Sequence, residues 1–165
     1  MGILIVDDTE EMRLYCKTLL ENGGYGPLFT AASAEEAYRI LGLGDESAVA
    51  AAGIDLILMD VAMPGVDGIE ALKHIKGDKR SLNIPVIMIS GISEEGLLEI
   101  ALDAGAIEYI CKPVRKIELL ARVRAVLRLK KEMDLGRERE RRLLQMARKL
   151  DAQVRRLKEP PPSES

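Results

Sequence analysis

Five polar residues stand at the ends of apolar runs: Asp7 and Asp8 after GILIV, Asp60 after IDLILM, Ser90 after IPVIMI and Lys112 after AIEYIC. Carboxylates are hard oxygen ligands of the kind Mg²⁺ takes, and the loop after Asp60 can add a backbone carbonyl. An ammonium and a hydroxyl beside them can hold phosphoryl oxygens. Without a cation the three carboxylates would oppose one another's ionisation. A single Asp or Ser after a strand is ordinarily a turn or capping residue. Five such residues at strand ends ask for a common explanation, and a divalent cation with a phosphoryl group supplies one.

Placing them together requires a parallel sheet. Each run has the length and branched content of a strand buried on both faces, and the ends of such strands meet at one crevice. Strands are expected over residues 2–6, 28–30, 54–59, 84–89 and 107–111, and helices over 10–21, 33–43, 68–76 and 94–104. Asn22-Gly23-Gly24 stops the first helix, Ser33 with Glu36 forms a capping box for the second, and Gly105 stops the fourth. Residues 42–53 form a longer connection with room for a helical turn at 48–52. Five β-α units in succession define an α/β domain, doubly wound on a five-stranded parallel sheet.

The last helix begins after Pro113 and does not stop where the domain should. Ile117, Leu120, Val123 and Leu127 are expected to cover the sheet. From Val126 onward, Leu129, Met133, Gly136, Glu140, Leu143, Ala147, Leu150, Val154 and Leu157 follow as a and d positions of a heptad repeat. A helix over 117–158 would extend about 60 Å at ~1.5 Å per residue. Gly136 and Glu140 are weak layers in that seam, and one pair, Glu132 with Arg137, favours parallel chains. Pro160-Pro161-Pro162 ends the helix. The organisation expected is therefore a domain over 1–125, a coiled-coil extension over 126–158 and a disordered tail over 159–165.

Charge divides along the same line. Residues 1–111 carry 7 Lys and Arg against 19 Asp and Glu, whereas residues 112–165 carry 17 against 8. A basic helix admits nucleic acid or an acidic membrane surface as partner. No helix-turn-helix, zinc ligands or interleaved aromatics accompany it, so solvation of a coiled coil is the better reading. No apolar stretch reaches the ~18 residues of a membrane span, and no signal peptide is visible. Cys16 and Cys111 lack metal-ligand spacing and read as buried small side chains of a cytoplasmic protein. His74, the single histidine, is expected to face solvent, because Ile69, Leu72 and Ile75 take the buried face of its helix.

VDD at 6–8, LILMD at 56–60, MPGVDG at 63–68, Ser90-Gly91 and Lys112-Pro113 together resemble the receiver domain of bacterial two-component response regulators. The resemblance covers roughly residues 2–125 and implies the flavodoxin-like receiver fold. It implies that Asp60 accepts a phosphoryl group from a phosphohistidine of a sensor histidine kinase. It further implies that Asp8 and Asp60 bind Mg²⁺ directly, Asp7 largely through water, and Ala62 through its carbonyl. Lys112 would pair with Asp60 and then with the phosphoryl group, aimed by a cis-proline at Pro113. Ser90 would bond a phosphoryl oxygen, and Tyr109 matches the aromatic switch that turns inward. Ala62 and Ile92 stand where the family modulates water access, and two small or apolar residues there suggest a long-lived phosphorylated state.

The chain is thus expected to be a signalling domain, not an enzyme, relaying its state through the last helix to a homodimer or to an output domain or protein. The rival is a Mg²⁺-dependent haloacid-dehalogenase-like phosphohydrolase with Asp60 as nucleophile. Such enzymes place a second Asp two residues later as general acid, and Ala62 cannot serve.

Overall fold

A computed structural model describes residues 1–44, 53–91 and 95–158. The expected turn at 48–52, Ile92 and the tail from 159 lie outside the described residues. Met1–Lys130 forms one compact unit and Lys131–Ser165 a second.

In the first unit the strands β1 (Gly2–Val6), β2 (Leu28–Ala31), β3 (Ile54–Asp60), β4 (Val86–Ser90) and β5 (Glu108–Cys111) form one parallel sheet in the order β2-β1-β3-β4-β5. Between them run α1 (Glu10–Asn22), α2 (Ala34–Leu41), α3 (Gly68–Gly77) and α4 (Glu95–Asp103), and α5 (Lys116–Lys158) follows β5. Alternate residues of each strand enter two separate cores. Leu4, Val6, Ile57, Met59, Val86 and Met88 pack with α2, α3 and α4. Ile3, Ile5, Leu56, Leu58, Ile87 and Ile89 pack with α1 and α5. Leu56, Leu58 and Ile87 are wholly buried, and each stabilises the fold by about 1.5–3 kcal/mol through loss of apolar surface to water. The sheet is buried on both faces, which is why its strands read as unbroken apolar runs.

Local chemistry sets the helix starts. Ser33 Oγ accepts from the Glu36 N–H at 3.2 Å, and the Glu36 carboxylate reaches back one residue further than a capping box would, to the Ala32 N–H at 2.7 Å. Asp67 Oδ1 accepts from the Glu70 N–H at 2.8 Å and caps α3. Gly42 ends α2 in the left-handed region, at φ 67°.

Three sequence expectations are corrected here. Strand β4 starts at Val86, not Ile84, because Pro85 has no N–H to give; its carbonyl still accepts from Ile57 at 3.0 Å. Ile117 does not cover the sheet: it is 85% exposed, and Leu119 and Val126 are buried beside the expected Val123 and Leu127. Val126 therefore belongs to the core and not to a seam. Cys111, at the end of edge strand β5, is exposed, whereas Cys16 is buried. Burial drives the Cys16 thiol up to about 11, Asp7 adding to the effect and Lys112 opposing it, so this thiol is inert at neutral pH. His74 is exposed, its ring 4.4 Å from that of Tyr38.

Over its described residues the second unit is helical, formed by α5 to Lys158. Leu143, Leu144, Met146 and Leu150 are each more than half exposed. Ion pairs Glu138–Arg142 and Asp151–Arg155, four residues apart, support the helix by at most a few tenths of a kcal/mol each. No helix among the described residues is long and apolar enough to cross a membrane.

Candidate functional site

The sheet ladder itself carries the chemistry-bearing residues. The Asp7 N–H donates to the Ala31 carbonyl, the Val61 N–H to Ile89 and the Lys112 N–H to Ser90, at 3.2, 2.9 and 2.7 Å. Asp7, Asp60, Ser90 and Lys112 are thus fixed at the carboxyl ends of β1, β3, β4 and β5. In the order β2-β1-β3-β4-β5, the switch point of the winding lies between β1 and β3, where a crevice opens for ligands.

Carboxylate oxygens of Asp7, Asp8 and Asp60 lie within 4.8 Å of one another. Asp7 and Asp60 are each 3% exposed, Ser90 is wholly buried, and Asp8 faces solvent. Asp7 is engaged at both oxygens: Oδ1 accepts from the Thr9 N–H at 2.8 Å and Oδ2 from Lys112 Nζ at 3.1 Å. Lys112 Nζ also lies 3.1 Å from Asp60 Oδ1, as an ion pair whose direction leaves that oxygen with no hydrogen bond. One ammonium thus bridges two buried carboxylates, while the buried Asp60 Oδ1 accepts no hydrogen bond. That is the donor set a small hard cation would complete, so the residues fit Mg²⁺.

The electrostatics agree. Burial pushes the Asp60 carboxyl above the ordinary carboxylate range; Lys112 opposes this, and Asp7 and Asp8 add to it. Burial pulls the Lys112 ammonium down, but the Asp60 and Asp7 carboxylates outweigh it and hold its pKa raised. The causes differ: Asp60 is raised chiefly by its burial and Lys112 by the two carboxylates beside it, and both effects favour added positive charge at the site.

Tyr109 is buried on β5 opposite Met88 and belongs to the α3–α4 core. The Lys112–Pro113 bond is cis. Ala62 is exposed in the loop between β3 and α3.

Sequence reasoning missed three residues that position the site. Gly68 begins α3 so close to β3 that a Cβ there would stand 2.0 Å from the Asp60 carbonyl oxygen. Its glycine was visible in MPGVDG, but the close approach was not. Arg13 Nη1 donates to the Asp7 carbonyl at 2.7 Å and clamps the turn that carries Asp7 and Asp8. Tyr15 Oη donates to the Val114 carbonyl at 3.0 Å, tying α1 to the segment that presents Lys112. Spacings of five and seven residues from Asp8 place Arg13 and Tyr15 in the first turns of α1, which is the only sequence signal either gives.

A doubly wound sheet with an acidic crevice at its switch point, a buried hydroxyl and a lysine on a cis peptide defines a receiver-type α/β domain. Residues 3–124 match the response regulator receiver domain, and the chain belongs to that family. It is 38% identical over 126 residues to the phosphate regulon transcriptional regulatory protein PhoB of Pseudomonas aeruginosa, covering 76% of this chain and 51% of PhoB. It is 31% identical over 152 residues to the cyclic di-GMP phosphodiesterase response regulator RpfG of Xanthomonas campestris pv. campestris, covering 87% of this chain and 37% of RpfG. Among solved structures, the CheX-CheY-BeF3-Mg²⁺ complex from Borrelia burgdorferi superposes with a TM-score of 0.66 at 32% identity, over 76% of this chain and 88% of that one. The chain spans about half the length of PhoB and less of RpfG. The phosphohydrolase alternative finds no support in these relationships.

Proposed function

We propose that the chain is the phosphoryl-accepting module of a two-component pathway, in which an Asp60 carboxylate oxygen attacks the phosphorus of a phosphohistidine on a sensor histidine kinase. The histidine N–P bond breaks as the Asp60 O–P bond forms, and the imidazole leaves with the electron pair and takes up a proton. The observation that carries this reading is the buried Asp60 oxygen, ion-paired to Lys112 yet without a hydrogen bond. Asp7, Asp8, Asp60 and the Ala62 carbonyl would hold Mg²⁺, which supplies charge neutralisation for a loose, in-line transfer. Lys112 moves its charge from the Asp60 carboxylate to the transferred group. Ser90 hydrogen-bonds a phosphoryl oxygen from the neighbouring strand, and Tyr109 reports the change on the face of β5.

A cavity of about 290 Å³ lined by Thr9, Met12, Tyr15, Lys112, Pro113 and Val114 opens beside the site and supports access for a donor. The protein works in the cytoplasm as a signalling domain, and its turnover is limited to gaining and losing its own phosphoryl group. Its output runs through α5, to a homodimer formed by that helix or to an output domain or protein; the names of PhoB and RpfG, a transcriptional regulator and a phosphodiesterase, illustrate what such outputs can be. Ala62, small and apolar, supports a long-lived acyl phosphate, and decay within seconds would refute that detail alone.

The test is intact mass after incubation with acetyl phosphate and Mg²⁺. One phosphoryl adduct is expected, mapped to Asp60 and absent both in a chelator and in Asp60→Asn. An adduct that persists in Asp60→Asn would overturn the assignment.

A further inference from the structure

The second unit presents exposed apolar side chains at a and d positions of one heptad register: Met133 is 43% exposed, Leu143 67%, Leu150 63% and Val154 40%. This is the period of a helix that packs against another helix, and residues 131–158 span about 42 Å at ~1.5 Å per residue, ample for a two-stranded contact. Two layers spoil the seam. Gly136 has no side chain, with nothing within 4 Å of where a Cβ would stand, and Glu140 places a carboxylate at an a position.

Glu140 is the informative residue, because it is the one charged residue among the a and d positions from Met133 to Val154. Glu138 pairs with Arg142, Asp151 with Arg155 at 3.1 Å, and Asp134 with Arg137 at 3.6 Å. Among the described residues, Glu140 and its neighbour Arg139 have no ion pair. Adjacent residues diverge by about 100° around a helix and cannot pair with each other. Across two parallel helices in register, however, an a position borders the g position of the other copy. Glu140 then meets Arg139 of the second copy, and the same contact repeats by symmetry. Glu132 at g also meets Arg137 at e of the second copy. An antiparallel arrangement that sets Leu143 against Ala147 turns Glu140 toward Leu150 and Arg139 toward Gln153, leaving both charges unmatched.

We propose that the occupant of this seam is a second copy of the chain, parallel and in register, and that reciprocal Arg139–Glu140 pairs fix the register. The proposal rests on the homodimer reading above and adds the arrangement. A carboxylate in a seam costs affinity and confers specificity, the known use of a polar residue at an a position. The dimer is accordingly held weak, and Glu140 is the residue that keeps it so.

Sedimentation equilibrium of the full chain tests both levels, with circular dichroism confirming helix content in each variant. Arg139→Glu and Glu140→Arg should each weaken the dimer about tenfold, and the double exchange should restore it to within about threefold. Glu140→Leu should tighten it at least about tenfold. In a Cys111→Ser chain, Leu150→Cys should cross-link under diamide, because equal d positions come within disulfide range when the copies run parallel. A wild-type monomer, or a mass unmoved by Leu150→Glu, would overturn the homodimer reading and this proposal with it. A dimer that Leu150→Glu dissociates, but whose double exchange stays as weak as the single variants or whose Leu150→Cys variant does not cross-link, would overturn the register alone.

Discussion

The two units bury apolar side chains by different means, and the difference assigns them different roles. In Met1–Lys130 the apolar residues alternate between two faces of one sheet, so helices of the same chain cover both. The positions of Asp7, Asp60, Ser90 and Lys112 follow from that ladder and need nothing from outside. Among the described residues of Lys131–Ser165 the apolar residues recur at helical spacing with no second layer, and Leu143 and Leu150 remain about two-thirds exposed. On the proposed reading, reactivity would be complete within one chain, whereas the helical unit would be completed by a second copy. Under that proposal a signal would be received by a single chain and read out by an assembly.

The sharpest way to break this comparison is at the nucleophile. Asp60→Asn is expected to abolish the acetyl phosphate adduct, at least about a hundredfold by intact mass, with the helical unit's circular dichroism unchanged. Next come two glycines in contrasting settings. Gly68→Ala forces a Cβ to 2.0 Å from the Asp60 carbonyl oxygen and should cost about 2–4 kcal/mol by urea unfolding, with loss of phosphorylation. Gly136→Ala meets no neighbour and should instead stabilise the helix by up to about 1 kcal/mol. Equal costs at the two sites would erase the distinction drawn between the units. The same contrast holds for leucines: Leu58→Ala should cost about 2–5 kcal/mol, while Leu143→Ala should leave the unfolding of a monomeric variant within about 0.5 kcal/mol.

The smallest effect is a pH slope. The folded state holds a proton on Asp60 more tightly than the unfolded chain does, because burial raises its pKa. Ionised Asp60 therefore costs stability at neutral pH, and stability without Mg²⁺ should rise as pH falls from 7 toward that raised pKa. Asp60→Asn should unfold a few degrees higher at pH 7, with the gain shrinking as pH is lowered. A gain that is independent of pH would show that the carboxylate's charge is not the cause.

Much of this was legible beforehand, for physical reasons. Strands buried on both faces leave continuous apolar runs, so Asp60 after IDLILM and Lys112 after AIEYIC marked the strand ends directly. The cap at Ser33 was legible because it acts on Glu36, three residues along the chain. What escaped depended on phase and distance. The turn of α5 about its axis is set where Val114, 4% exposed, docks after Pro113, and that fixes Leu119 inward and Ile117 outward. Periodicity alone allowed either. Cys111 looked buried by its neighbours' composition, yet β5 is an edge strand and ends there. The clamp of Arg13 on the Asp7 carbonyl and the contact of Gly68 with Asp60 are tertiary, and no local pattern encodes them.

Lys112 stands 3.1 Å from both Asp7 and Asp60, and it is covalently tethered. A counter-ion that cannot diffuse away keeps the acidic mouth from flying apart when the surroundings hold little divalent metal. If the proposed magnesium requirement holds, mineral scarcity would silence the protein without denaturing it, and replenishment would restore responsiveness with no refolding between.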